Sequence, residues 1–140
     1  MTETEKHLTF IISNLNFSIP ALCVKRIIPY QECDTIPASY SYVEGIINSN
    51  DGTITVVDPN VLFEIFDDKK KSHIIILDFE EGLLGISING LDDMINVENN
   101  QKTYMKNLFN NNTDFIGCII NHEDTLYNCF SLKNLKTLAG

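Results

Sequence analysis

The sequence predicts a mainly β protein organised as a pseudo-symmetric pair of small barrels or sheets, and three observations carry that reading. The first is an internal duplication. Gly45-Ile46-Ile47-Asn48, a polar turn at Asn50-Asp51-Gly52, the run Thr53-Ile54-Thr55-Val56-Val57 and a cap at Asp58 return as Gly117-Cys118-Ile119-Ile120-Asn121, His122-Glu123-Asp124, residues 125–130 and Ser131. Residues 45–57 should therefore superpose on residues 117–129, a period of about 72 residues that is too long and too seldom repeated for a solenoid. The duplication extends backwards, because Phe17-Ser18-Ile19 ahead of Val24-Lys25-Arg26-Ile27-Ile28 is echoed by Leu84-Gly85-Ile86 ahead of Leu91-Asp92-Asp93-Met94-Ile95. The second observation is the texture of the chain, short apolar runs separated by Asn, Asp and Gly turns, which is strand and hairpin chemistry. The third is size. At 140 residues and 44% apolar the chain suits one domain, whereas each half alone would be marginal, so the two halves should share a core.

The elements follow in order. Residues 1–7 read as a polar tail ahead of a single domain over residues 8–138, made of two interleaved subdomains with a boundary near residues 67–72. Residues 8–13 and 17–19 flank Asn14-Leu15-Asn16 as a hairpin. Residues 22–30 form a strand limited by Pro20 and Pro29, which cannot donate to a ladder, and residues 33–39 carry turn chemistry. Residues 42–48 and 53–57 form a hairpin whose Asp51-Gly52 pair supplies positive φ for a tight turn. Asp58-Pro59 opens a short helix, with the carboxylate as cap and proline in the first helical position; Val61, Leu62, Ile65 and Phe66 follow at helical spacing and should face inward.

Asp67-Asp68-Lys69-Lys70-Lys71, mixed in charge and without apolar content, reads as a solvated connector between the halves. Residues 73–79 and 82–88 form a hairpin over Glu80-Glu81, and residues 93–97 continue the sheet. Residues 99–112 are rich in asparagine, with Tyr104, Met105, Leu108 and Phe109 placing an apolar face on a short helix or ordered loop. Ser131 caps a terminal helix carrying Leu132, Leu135 and Leu138, so a short helix follows each repeat.

A net charge of −9 opposes binding to phosphate backbones and anionic lipid. No apolar run approaches a membrane span, and the polar start lacks the layout of a signal peptide, so the chain is expected in the cytoplasm. Cys23, Cys33, Cys118 and Cys129 are scattered, without a C-x-x-C pair or a histidine at ligand spacing, which argues against zinc. Cys23, Cys118 and Cys129 lie in apolar patterns as small hydrophobes, and Cys33, between Glu32 and Asp34, has no activating cation beside it in sequence. His7, His73 and His122 accompany no nucleophile motif, and there is no phosphate-binding glycine loop. Glu80-Glu81 and Asp92-Asp93 are sequence neighbours, which do not face one point, and read as solvated surface. No catalytic residue, cofactor site or metal site is expected.

The stretch Ile36-Pro37-Ala38-Ser39-Tyr40-Ser41-Tyr42-Val43-Glu44-Gly45-Ile46-Ile47-Asn48, continued through the turn to Ile54-Thr55-Val56-Val57-Asp58, resembles the signature of the CheW-like domain. In that family the text runs as proline, tyrosine-valine-x-glycine, two aliphatics, asparagine-leucine-arginine-glycine, then an aliphatic strand ending in aspartate. Phe17-Ser18-Ile19-Pro20, Gly90-Leu91-Asp92-Asp93-Met94 and Phe115-Ile116-Gly117 also match, so the resemblance covers nearly the whole chain. It implies two five-stranded SH3-like barrels around a common core. It also implies a non-enzymatic adaptor that couples the cytoplasmic tip of methyl-accepting chemoreceptors to the regulatory domain of the histidine kinase CheA.

Carried over residue by residue, the resemblance places the partner-binding groove between the barrels on Val24, Arg26, Gly45, Asn50, Asp51 and Met94, with Ile27 and Leu91 as apolar neighbours. Ordinary core packing accounts for Val24, Ile27, Leu91 and Met94 equally well. Three departures from the family text concern charge: the arginine-glycine of the hairpin tip is Asn50-Asp51, a commonly acidic position is Arg26, and the valine-aspartate before the mid-chain glycine is Ile88-Asn89. Charge placement governs partner choice, so the chain is expected either to serve the standard receptor and kinase or, as a divergent paralogue, a different chemosensory pair. With no receiver or kinase motif after the terminal leucines, a stand-alone adaptor is favoured over a module of a CheW–receiver fusion or kinase. A small-ligand-binding β protein is the remaining alternative, disfavoured by the lack of tryptophan and of clustered aromatics.

Overall fold

The computed structural model describes residues 3–37, 39–104 and 115–139. Eleven strands are formed there: β1 (Thr4–Ile12), β2 (Leu15–Pro20), β3 (Val24–Pro29), β4 (Val43–Ser49), β5 (Gly52–Val57), β6 (His73–Phe79), β7 (Gly82–Ile88), β8 (Gly90–Glu98), β9 (Lys102–Tyr104), β10 (Ile116–His122) and β11 (Thr125–Phe130). Helices α1 (Pro59–Leu62) and α2 (Leu132–Leu135) follow β5 and β11. Asp58 caps the first through Asn60 N–H at 3.0 Å, and Ser131 caps the second through Asn134 N–H at 3.4 Å. The fold is mainly β with short helices after each repeat, as predicted.

Two sheets result, ordered β8-β1-β2-β11-β10-β9 and β3-β6-β7-β5-β4. The repeats are interleaved. Strand β2 of the first repeat lies parallel to β11 of the second, while β7 of the second lies parallel to β5 of the first. The third strand of each repeat pairs with the first strand of the other, β3 with β6 and β8 with β1.

Because the central strands are buried on both faces, their two rows of side chains enter different cores. Ile74 and Ile76 of β6 join Ile47, Ile54 and Val56 inside one sheet. On the other sheet, Ile95, Val97, Cys118, Ile120, Tyr127 and Cys129 form the equivalent interior. The opposite rows, including Leu8, Phe10 and Ile12 of β1 with Ile75 and Leu77 of β6, meet in the shared core between the sheets. Phe10, Phe17, Phe63 and Phe130 stack there with ring centroids 5.4 to 6.2 Å apart, and each buried phenyl contributes about 1.5–3 kcal/mol.

Several sequence expectations are corrected. The polar tail is strand from Thr4 onward: Thr4 and Glu5 pair with Glu98 and Val97, and His7 is fully buried. Residues 67–72 separate the two repeats along the chain but not the two sheets, because β6 returns to the sheet of β3, β4 and β5. Nor is that connector merely solvated. Lys71 Nζ bonds Asp58 and Asn60 at 2.8 and 2.6 Å, and Asn89 Nδ2 donates to the carbonyls of Lys69 and Lys70.

The strand expected from residue 22 begins at Val24, after a 3-10 turn over Ala21–Cys23. Helix α1 stops at Leu62, Glu64 takes φ +56°, and Phe66 is exposed instead of facing inward. The repeats match one residue later than predicted, because Gly45 faces Val56 as Cys118, not Gly117, faces Cys129. The sheet built on β1 gains a sixth strand, β9, from the asparagine-rich segment; Met105, Leu108 and Phe109 lie outside the described residues.

Candidate functional site

Strand β3 forms one edge of its sheet and is kinked by a bulge between Val24 and Arg26. A bulge re-aims the side chains around it, and here Lys25 and Arg26 both reach the tip of hairpin β4–β5. Arg26 Nε lies 3.2 Å and Lys25 Nζ 3.7 Å from the Asp51 carboxylate. The Asp51 side chain is only 10% exposed, and its Oδ2 accepts no hydrogen bond, so the charge of Arg26 is what compensates it. The tip itself is built locally: Asp51 N–H donates to Ser49 Oγ at 3.1 Å and the Ser49 hydroxyl to Gly52 O at 3.2 Å. Gly52 alone supplies the positive φ, +115°, whereas Asp51 does not. Asn50 is exposed beside it.

The apolar candidates fall into two pairs. Val24 and Ile27 face Leu77 and Ile75 across β3 and β6 and are half-buried against the shared core. Leu91 and Met94 face Phe10 and Leu8 across β8 and β1, yet stay 39% and 48% exposed. The two pairs thus occupy corresponding rows of the duplicated fold while differing in burial. Between Met94 and Leu91, the bulged Asp92-Asp93 wraps Thr9, whose hydroxyl donates to Asp92 Oδ2 at 3.1 Å and accepts from Asp93 N–H at 2.8 Å. Met94, Asp92 and Asp93 line a cleft of about 420 Å³ with His122, Glu123 and Tyr127 from the opposite hairpin.

Gly45 presents no surface. It is buried under the loop at Asp34, which exchanges backbone hydrogen bonds with Ile46 at 2.8 and 2.9 Å. A Cβ at Gly45 would lie 2.3 Å from Asp34 O, and φ there is +152°. The glycine of the motif is therefore explained by close backbone approach, and its burial argues against a contact role for Gly45.

Polar groups in the two interiors hydrogen-bond one another. Glu44 accepts from the Tyr30 hydroxyl, from Ser87 Oγ at 2.9 Å and from Cys33 Sγ at 3.5 Å. Burial, together with the Glu44 charge, pushes the Cys33 thiol up to about 12. His7 bonds Ser18 Oγ through Nδ1 at 3.2 Å and Glu5 through Nε2 at 2.6 Å, and burial holds its pKa below the ordinary value. Cys129 Sγ is 3.9 Å from His7 Nδ1, but the adjoining Cys118 and burial push that thiol strongly upward, the reverse of an activated nucleophile. Among the described residues, no group of three or more His, Cys, Asp or Glu side chains is placed to hold a metal.

What the sequence reading missed is that Arg26 and Asp51 touch. The signal was present: two opposite departures from one family text, a cation gained and an anion gained, are what a compensating contact produces.

The family model for the CheW-like domain matches residues 6–137. No curated protein gives a significant sequence match. Among solved structures, the scaffolding protein TtCheW from Thermoanaerobacter tengcongensis superposes with a TM-score of 0.84 at 20% identity, covering 93% of this chain and 90% of that one. At that identity the likeness concerns the fold, two SH3-like subdomains.

Proposed function

The chain belongs to the CheW-like domain family, and on that premise we propose that it is a non-enzymatic cytoplasmic scaffold coupling methyl-accepting chemoreceptors to a CheA-type histidine kinase. The observation that carries this reading is the extent of the match, residues 6–137, which takes in both sheets and the core between them. A scaffold must hold two partners together, and a duplicated fold supplies two similar edge strands, β3 and β8, on different sheets. Joining two contacts in one body raises the effective concentration of each partner for the other without new chemistry.

On β8, exposed Leu91 and Met94 offer an apolar contact rimmed by Asp92 and Asp93. On β3, Val24 and Ile27 lie beside the Arg26–Asp51 pair and exposed Asn50. The net charge of −9 disfavours nucleic acid and anionic membrane as partners, and no helix among the described residues is long and apolar enough to cross a membrane.

Capture from solution tests the proposal: immobilised wild-type protein is offered a chemoreceptor cytoplasmic tip and a CheA regulatory domain, separately and together. Retention of both, with each increasing recovery of the other, is expected. Retention of neither overturns the assignment. A second reading, service to a divergent receptor–kinase pair, is favoured by the tip alone, where the Asp51 carboxylate engages Arg26 and Lys25 and offsets part of their charge; it predicts retention of a cognate pair and failure with a standard one.

A further inference from the structure

Cys118 of β10 and Cys129 of β11 are direct cross-strand partners. Opposed residues of an antiparallel pair have Cα atoms roughly 4.5–5.5 Å apart and side chains on one face, inside the roughly 4.4–6.8 Å span that a disulfide bridges. Both thiols are free and buried on the interior face of their sheet. They also lie on the wall of a cleft of about 470 Å³, together with Glu5, His7, Lys102 and Tyr104. A reactive pair needs proximity and access for a small oxidant, and both are met here. We propose that Cys118 and Cys129 form a two-thiol redox site that small hydroperoxides convert to an intramolecular cross-strand disulfide.

The two sulfurs are not equivalent, which orders the steps. Cys118 shares the cleft wall with Lys102, and the adjoining Cys129 together with the lysine charge holds its pKa below the ordinary thiol value against the opposing effect of burial. Cys129, whose Sγ–H donates to Phe130 O at 3.6 Å, is shifted upward. The Cys118 thiolate therefore attacks a peroxide oxygen; the O–O bond breaks, the sulfur is oxidised to a sulfenic acid, and the departing hydroxide takes up the proton that Cys118 had lost, leaving as water. With Cys118 now a neutral sulfenic acid, the thiolate charge that raised Cys129 is gone, and Cys129 sulfur attacks Cys118 sulfur as it gives up its proton. The S–O bond breaks, the hydroxyl leaves with the Cys129 proton as a second water, and the disulfide closes. Two thiols and one peroxide thus give one disulfide and two waters. Cys33, raised to about 12 and hydrogen-bonded to Glu44, and Cys23, raised by burial, supply internal controls.

The test uses the reduced full-length protein with one equivalent of hydrogen peroxide, then alkylation, intact mass and peptide mapping. A loss of about 2 Da for the two hydrogens, one cross-linked peptide pair joining Cys118 to Cys129, and alkylated Cys23 and Cys33 are expected, all reversed by a phosphine reductant. Cys129→Ser should instead trap a dimedone-reactive sulfenic acid at Cys118, and Cys118→Ser should yield neither product. The wild-type measurement decides the matter even if a variant misfolds. Four alkylatable thiols after peroxide, a bridge joining a different pair, or the same bridging rate in urea-unfolded chain as in native protein overturns the proposal.

Discussion

Arg26 Nε lies 3.2 Å from Asp51 Oδ2, joining the bulged edge strand to the tip of the neighbouring hairpin. Arg26 is nearly half exposed while Asp51 is almost enclosed, so the partners are unequal: removing the arginine leaves a desolvated carboxylate with only Lys25 at 3.7 Å, whereas removing the carboxylate leaves a solvated cation. Arg26→Ala should therefore cost more than Asp51→Asn. Solvent screening keeps the coupling energy of the pair to about 0.5–1 kcal/mol. A double-mutant cycle by urea unfolding, with slope m unchanged, measures it; zero coupling would show that the pair is incidental. Asn50→Arg with Asp51→Gly, which restores the family text at the tip, also releases Arg26. It should gain affinity for an acidic partner by two cations, and the gain should shrink as salt rises.

The two hairpin tips predict opposite responses to glycine. In the β10–β11 tip, Glu123 and Asp124 both take positive φ, +50° and +66°, in a two-residue connection between His122 and Thr125. L-residues with larger side chains pay about 1 kcal/mol there, so Asp124→Gly should raise stability by about that amount. Asp51→Gly should not, because Asp51 has no positive φ to relieve and loses its ion pair. Gly45→Ala should cost about 2–3 kcal/mol through the collision with Asp34 O. Its effect on partner capture should follow the fraction unfolded, as befits a packing residue; lost capture in fully folded protein would keep Gly45 in the contact set.

Stability should fall on both sides of a plateau. On the alkaline side Cys33, Cys129 and Tyr30 are all raised above their ordinary values. The stability they contribute is complete below the unfolded thiol value of 9.0 and is lost above it, as the unfolded chain releases protons that the native state retains. On the acid side burial lowers the pKa of His7, from an ordinary 6.5. Its contribution is present above that value and lost as pH falls below it. Urea midpoints between pH 5 and 11 check both limbs. Glu44→Gln should move the alkaline limb upward and speed alkylation of Cys33, because Glu44 adds to the burial that raises this thiol.

Strands were legible in the sequence because their burial is local in its signature. The run Ile74-Ile75-Ile76-Leu77 is continuous because alternate side chains enter different cores, which is how a strand buried on both faces reads. The exchange of β3 and β8 between sheets was not legible, since pairing is decided by contacts far apart in sequence. Aligning the repeats on Gly45 and Gly117 set the register off by one, because Gly45 answers a collision with Asp34 that its counterpart Cys118 does not face. Of the candidate site, Leu91, Met94 and Asn50 are exposed as a contact role requires. Val24 and Ile27 proved half-buried, a difference of environment that the duplicated sequence could not reveal.

That difference decides how the partner surface should be tested. Val24→Glu places a carboxylate against the shared core, where an unpaired charge costs several kcal/mol, so lost binding by that variant confounds docking with unfolding. Met94 is 48% exposed on an edge strand, and Met94→Glu should change stability by no more than about 0.5 kcal/mol. If β8 meets a receptor or kinase, the added carboxylate, beside Asp92 and Asp93, should weaken capture at least tenfold, while Met94→Leu keeps it. Folded Met94→Glu protein that captures both partners as well as wild type does would remove β8 from the contact surface and leave the β3 edge, with its Arg26–Asp51 pair, to carry the association.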